Sequence, residues 1–247
     1  MRIVARLDIK NAHVIKGIHL EGLRKVGAPG ALAARYYREG IDEFVLMDAV
    51  ASLYGRNNLF DVVEAACREV FVPLTLGGGL RSLADIERAL GAGADKVAIN
   101  TQAHKTPDLV REAARLFGSQ CIVGSIEAKR KNGGWEAYVD NGREPTGRDA
   151  LEWMARLQDL GAGEILLTSV DQEGTRRGLD TSLAARAAER AQVPVVLSGG
   201  AGTVEQIVAA AGTGVDGIAL ASVLHYATVS VAQVKAALAA AGVKVRS

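Results

Sequence analysis

One glycine turn occurs twice in this chain, and that repetition narrows the fold more than any other feature. Gly77-Gly78-Gly79 follows the apolar run Phe71 to Leu76 and precedes Leu80-Arg81-Ser82, where a helical pattern opens. Ser198-Gly199-Gly200 follows Pro194-Val195-Val196-Leu197 and precedes Gly202-Thr203, where another opens. Strand, glycine turn and helix start together form an anion site: glycine lets the backbone approach, and the free N–H groups at the helix end point at the ligand. Residues 77 and 198 are 121 positions apart, as are Glu43 and Glu164, and Asp95 and Asp216; Asp8 and Glu127 are 119 apart. The chain therefore reads as two copies of one half, each with a carboxylate on its first strand and a phosphate cradle after its third.

The strand and helix patterns agree with a doubled half-barrel. Short β-branched runs are expected as strands at Ile3–Asp8, Glu43–Asp48, Val72–Leu76, Lys96–Asn100, Cys121–Ile126, Glu164–Thr168, Val193–Leu197 and Gly217–Leu220. Helical periodicity lies between them at Gly30–Arg38, Leu59–Arg68, Leu83–Leu90, Asp108–Leu116, Asp149–Leu160, Ser182–Ala191, Val204–Ala211 and Val231–Ala241. Near-continuous apolar strands alternating with helices indicate parallel strands buried on both faces. Eight such units in 247 residues match a (β/α)8 TIM barrel, which typically takes about 250 residues. Each half leaves two sheet edges that the other covers, so the repeat favours closure. The whole chain, 1–247, is expected to form one barrel domain.

Two connections are longer than a barrel needs. Residues 10–30 carry Gly17, Gly22, Gly27 and Pro29 among charged residues, the composition of a lid. Residues 131–147 hold Asn132-Gly133-Gly134 and then the alternating Trp135 to Val139, which predicts a small hairpin.

Bulk properties exclude several functions. A formal net charge of +1 gives no footprint for nucleic acid or an anionic membrane, and 4% aromatic residues leave little for base stacking. No run reaches the ~18 apolar residues of a membrane span, and the start Met1-Arg2-Ile3-Val4 lacks a signal-peptide pattern. Cys67 and Cys121 read as reduced core residues, so a cytoplasmic location is expected. His13, His19, His104 and His225 show no ligand spacing and no nucleophile elbow is present, so neither a metal, a cofactor nor a covalent intermediate is expected.

In a barrel of this kind chemistry sits at the carboxyl ends of the strands. Asp8 ends the first and Glu127 the fifth, on opposite sides of the ring, where two carboxylates can act as general acid and general base. The alternative is that each pairs with the lysine two residues on, Lys10 or Lys129. Gly78 and Gly79, with Asn100 and Thr101 after the fourth strand, are expected to hold one phosphate. Gly199 and Gly200, with Ala221 and Ser222 after the eighth, are expected to hold another, so the substrate carries a phosphate at each end. Thr168, Asp171 and Glu173 lie at and just past the end of the sixth strand and can orient substrate, or can be ordinary loop residues. Lys16 in the first long loop can fold over an anion, or can be a surface lysine. Arg2, Glu43, Lys96 and Glu164 collect at the opposite, amino-terminal end, where two acids and two bases can close a ring of salt bridges.

These residues resemble a known family, the cyclase subunit of imidazole glycerol phosphate synthase of histidine biosynthesis. The likeness covers nearly the whole chain and rests on Arg-Leu-Asp-Ile-Lys (6–10), Val-Ile-Lys-Gly (14–17), Gly-Gly-Gly (77–79), Gly-Ala-Asp-Lys-Val-Ala-Ile-Asn-Thr (93–101), Phe-Gly-Ser-Gln (117–120), Ala-Lys-Arg (128–130), Gly-Ala-Gly-Glu-Ile-Leu-Leu-Thr-Ser (161–169) and Ser-Gly-Gly-Ala-Gly (198–202). The resemblance implies a lyase that takes ammonia from a glutaminase subunit in a heterodimer, the partner seated on the amino-terminal face of the barrel. The implied substrate is a bis-phosphorylated ribulosyl aminoimidazole carboxamide nucleotide; the products are imidazole glycerol phosphate and an aminoimidazole carboxamide ribotide. Asp8 matches one of the family's two catalytic aspartates, Lys16 a lysine of its mobile first loop, and Arg2, Glu43, Lys96 and Glu164 its ammonia gate.

Two positions depart from the family pattern. Its second catalytic aspartate falls on Glu127, and an aspartate after the sixth strand falls on Glu173. One added methylene moves a carboxylate by on the order of 1 Å, a displacement that can cost about a hundredfold in rate. A paralogue that amidates a surface-polysaccharide sugar, and a barrel that binds phosphate without turnover, are the alternatives these departures raise.

Overall fold

The computed structural model describes residues 1–49 and 59–246. Eight parallel strands close on themselves: β1 (Arg2–Lys10), β4 (Glu43–Asp48), β5 (Leu74–Gly77), β6 (Lys96–Ile99), β7 (Ile122–Lys131), β10 (Glu164–Ser169), β11 (Val195–Ser198) and β12 (Gly217–Leu220). Each pairs with the next, β12 returns to β1, and the β7–β10 pairing completes the ring. The outer helices are α1 (Pro29–Arg38), α2 (Phe60–Cys67), α3 (Leu83–Gly91), α5 (Asp108–Phe117), α6 (Ala150–Asp159), α7 (Thr181–Arg190), α8 (Val204–Ala211) and α10 (Val231–Ala240). Two further one-turn helices, α4 (Thr101–Lys105) and α9 (Ser222–His225), follow β6 and β12 directly.

The repeat is visible bond by bond. Leu74 N–H donates to Asp95 Oδ2 at 2.8 Å, and Val195 N–H to Asp216 Oδ2 at 2.9 Å. Ser82 with Asp85 caps α3, and Thr203 with Gln206 caps α8, each by a reciprocal capping box. The third and seventh barrel strands start two residues later than periodicity predicts, at Leu74 and Val195. Pro73 and Pro194 immediately precede them and have no N–H for the ladder. Their carbonyls still accept from Phe44 and Ile165 at 2.9 Å.

Side chains alternate along each strand, so the barrel interior is stacked in layers. At the amino-terminal end lie Arg2, Glu43, Lys96 and Glu164. Above them Val4, Val45, Ala98, Val123, Leu166, Val196 and Ala219 form an apolar layer of their own, separate from the large core between strands and helices. Next come Arg6, Thr168 and Ser198, all buried, and then the rim carboxylates.

Both long connections are structured. Residues 10–30 are not an irregular loop but an antiparallel hairpin, β2 (His13–Ile18) and β3 (Glu21–Gly27), continuing from β1. The second extends β7 into a meander with β8 (Gly134–Val139) and β9 (Glu144–Asp149). Cys67 and Cys121 are free and only partly buried, at helix ends rather than in the core. Among the described residues no helix is long and apolar enough to cross a membrane.

Candidate active site

Asp8 and Glu127 both stand at the carboxyl-terminal rim, and both are buried. Their surroundings differ in sign. Asp8 Oδ1 accepts from Arg6 Nε at 2.9 Å, and Lys16 Nζ lies 3.8 Å from Oδ2. Burial alone raises a carboxylate; Arg6 and then Lys16 overcome it, and Asp8 sits below the ordinary range. Glu127 has no such partner. Its Oε2 accepts from Asn100 Nδ2 at 3.0 Å and from the Gly142 N–H at 2.8 Å. Burial pushes it up to about 7, with the charge of Arg6 and the Gly142 bond offsetting only part, and Asp8 and Asp140 adding to the rise. One acid is thus held ionised and the other is half protonated near neutrality. Neither pairs with the lysine two residues on: Lys129 Nζ lies over the Tyr138 ring instead.

The two carboxylates line adjoining chambers rather than one open mouth. Glu127 borders a cavity with Arg6, Gly78, Gly79, Asn100 and Thr101. Asp8 borders a smaller one with Ile15, Lys16 and Leu20. Ala49 and Asn141 belong to both walls. Asn141 is fixed there because its Nδ2 donates to Leu20 O at 3.2 Å.

The hairpin β2–β3 is folded down over the site. Lys16 is buried and ion-pairs with Glu173 as well as Asp8. His19 N–H donates to Glu173 O at 2.8 Å, and its Nδ1 lies 3.0 Å from Val170 O. Burial, with Arg6 nearby, brings the Lys16 ammonium down to about 8 despite the attraction of Asp8. Lys16 is therefore neither a surface lysine nor a free anion clasp in this state; it is spent on two carboxylates. Asp171 likewise has a local role, its Oδ2 accepting the Arg130 N–H at 2.7 Å.

The two glycine turns are unequal. Gly78 and Gly79, at φ 91° and 73°, face the cavity that holds Glu127. Gly199 and Gly200, at φ 101° and 103°, lie under residues 171–180. Gly178 N–H donates to Gly200 O at 2.9 Å, and a Cβ on Gly199 would stand 2.5 Å from Ser169 O and 3.3 Å from Glu173 Oε2. A second cleft opens beside this turn, bordered by Lys16, Arg24, Gly174, Arg176 and Ser222. The sequence suggested that Asn100 donates to a phosphate; in this structure both its Nδ2 hydrogens go to Glu127 and Tyr138 O. Thr101 Oγ1 accepts from Asp140 N–H at 3.1 Å. Ala221 ends the approach to α9 and Ser222 opens that helix.

At the other end the expected ring is closed. Arg2 Nη1 reaches Glu43 at 2.9 Å and Glu164 at 2.7 Å; Lys96 Nζ reaches Glu43 at 3.3 Å and Glu164 at 3.0 Å.

Three participants escaped sequence reading. Arg6 lies two residues before Asp8, so strand alternation alone places both inside the barrel; the signal was present. Gly142 and Asn141 reach the rim only because the meander folds back, which no local pattern announces.

A family model described as histidine biosynthesis protein matches residues 2–230. The chain is 56% identical over 207 residues, 83% of its length and 98% of the relative's, to imidazole glycerol phosphate synthase subunit HisF of Legionella pneumophila. It is 46% identical to the subunit of that name in Dehalococcoides mccartyi, covering 99% of this chain and 97% of the relative. The Mycobacterium tuberculosis subunit is also 46% identical, covering 100% and 95%.

Proposed function

The chain belongs to the histidine biosynthesis protein family, and from that premise we propose that Asp8 and Glu127 carry out ammonia-dependent ring closure and cleavage on a phosphorylated substrate. Its relatives at 46–56% identity are subunits of imidazole glycerol phosphate synthase, and this supports cyclase activity, that of a lyase of histidine biosynthesis, for the chain. The single observation that carries the residue assignment is the opposite electrostatic setting of the two rim acids. Asp8, ionised beside Arg6, accepts the proton shed by the attacking nitrogen; Glu127, partly protonated, donates to the departing oxygen.

The rest of the reading follows the geometry. Gly78, Gly79 and the start of α4 at Thr101 cradle one phosphate of the bis-phosphate nucleotide, with Asn100 holding Glu127 in place. Gly199, Gly200, Ala221 and Ser222 take the other once residues 171–180 and the β2–β3 hairpin lift, with Thr168 and Asp171 anchoring their neighbours. Substrate entry breaks the Lys16–Glu173 and Lys16–Asp8 pairs, which frees Lys16 for the anion. A glutaminase subunit docks on the face that carries Arg2, Glu43, Lys96 and Glu164, and the ring admits ammonia. The chain works as one domain, in the cytoplasm, without a cofactor.

The test is turnover of the bis-phosphate nucleotide with purified protein and ammonium at pH 8. Imidazole glycerol phosphate is expected from the natural chain and not from Asp8→Asn. Glu127 and Glu173, each longer than the family's residue, favour one second reading: amidation of an acetamido sugar by the same carboxylates. Amidine formation on such a sugar, with the nucleotide left intact, would establish it instead.

A further inference from the structure

Among the described residues Arg6 is the one full charge between the apolar layer of the barrel and its rim. It is 2% exposed, and two of its three nitrogens are committed: Nε to Asp8 at 2.9 Å, Nη1 to Thr168 Oγ1 at 2.8 Å and Ser198 Oγ at 3.3 Å. Nη2 has no hydrogen-bond partner among the described residues, yet it is not among the buried nitrogens sealed from solvent. The side chain borders the cavity that holds Glu127 and the open glycine turn. Asn100 borders the same cavity, and its Oδ1 is a buried acceptor with no partner, its amide orientation fixed by the two acceptors that face Nδ2. Arg6 thus leaves one guanidinium nitrogen unpaired at the cavity wall, beside an amide oxygen of Asn100 that is buried without a partner at a cost of ~1–3 kcal/mol.

We propose that Arg6 contacts the substrate, its Nη2 holding the oxygen that becomes negative as ammonia adds to a carbonyl carbon. This rests on the ammonia-using reading above and deepens it. In the step, the nitrogen lone pair forms the C–N bond and the C=O π pair moves onto oxygen beside Arg6. Asp8 takes one proton from nitrogen and Glu127 gives one to oxygen, leaving a neutral carbinolamine. A fixed cation already desolvated at the site needs no reorganisation as charge develops. Three bonds from the protein keep it in place, which fits a group that must be rigid.

Arg6 also holds Asp8, so the test must separate contact from positioning. Ammonia-dependent kcat and KM are measured from pH 6 to 9 for the natural chain, Arg6→Met and Arg6→Lys. The charged or titratable groups around Asp8 are Arg6, Lys16 from β2, Glu127 from β7 and His225 from α9, with Glu173 from the loop after β10 paired to Lys16; Asp140 also acts on Glu127. For a substrate contact, Arg6→Met lowers kcat at least ~100-fold at every pH with KM changed little, and Arg6→Lys recovers part of it. A loss that vanishes at pH 9, where Asp8 is ionised without help, leaves Arg6 a positioning residue and overturns the proposal. So does unchanged kcat. If Arg6→Met fails to fold, Arg6→Lys decides, since an ammonium cannot serve Asp8, Thr168, Ser198 and substrate at once; a loss under threefold ends the idea. A natural chain inactive on the nucleotide and on an acetamido sugar alike removes the ammonia reading itself, and this inference with it.

Discussion

The backbone N–H of Gly142 donates to Glu127 Oε2 at 2.8 Å, so a turn between β8 and β9 seats one of the two rim acids. Oε2 also takes Asn100 Nδ2, which leaves Oε1 as the oxygen available to hold a proton. Burial pushes its pKa up to about 7, and in the function proposed above Glu127 is the acid of the pair, so kcat should fall as pH rises through that value. Stability should move with it. From about 4.5 to about 7 the folded chain holds a proton that the unfolded chain has lost, so stability declines as pH rises across that window. The whole loss is ~3 kcal/mol at most for this site. Urea melts at pH 5 and pH 8 should show a smaller drop for Glu127→Gln than for the natural chain.

Gly78 and Gly199 occupy equivalent turns, and neither tolerates a side chain. A Cβ on Gly78 would run into the Asp48 carbonyl, and one on Gly199 into that of Ser169. Both φ values are left-handed besides. Alanine at either should cost ~1–3 kcal/mol by strain. The functional effects should differ, because only Gly78 faces an open cavity in the closed state. Isothermal titration with inorganic phosphate should register a larger loss for Gly78→Ala than for Gly199→Ala.

Much of this was legible in the sequence, for stated reasons. Alternation and the 121-residue offset determine the barrel, because Glu43 and Glu164, or Asp95 and Asp216, can only fall on matching strands. Proline displaced two strand starts, a local rule applied too loosely at Val72 and Val193. What stayed hidden was every contact made by a segment folding back: Lys16 onto Glu173, Asn141 onto Leu20, Gly142 onto Glu127. Such contacts depend on turn geometry at Asn11, His19 and Leu20 in the first hairpin and at Asp140 and Asn141 in the meander, all at positive φ, which no hydrophobic pattern encodes. Arg6 is different, for its face follows from Asp8 by strand alternation.

Glu164 joins both cations of the lower ring, Arg2 at 2.7 Å and Lys96 at 3.0 Å. Glu164→Gln keeps the shape but removes the charge, leaving Glu43 to balance two cations that are mostly buried. Breaking one member of such a set should destabilise the chain by ~2–4 kcal/mol, somewhat below a fully buried pair. The ring is separated from the rim by the whole apolar layer, so kcat with free ammonium should stay within about twofold of the natural chain, as distant sites behave independently. Thermal melting and ammonium-dependent turnover on one preparation check both halves.

Asp180 ties the loop after β10 to the meander. Its carboxylate caps α7 at the Leu183 N–H, accepts Trp135 Nε1 at 3.0 Å and pairs with Arg130 at 3.0 Å. Residues 171–180 carry Glu173, which holds Lys16, and Gly178, which covers Gly200. Asp180→Ala removes the cap and strands a buried indole N–H, together ~2–4 kcal/mol. Asp180→Asn retains an acceptor for the cap or for Trp135 and should cost about half as much. Because the same loop shields the second glycine turn and latches the hairpin, loosening it should raise hydrogen exchange at His19 and Gly178 together. The exchange at Gly79 should be unchanged, since the first turn shares no bond with this loop. Protection lost at all three amides in Asp180→Ala would show a general loosening, and the loop would not be the latch described here.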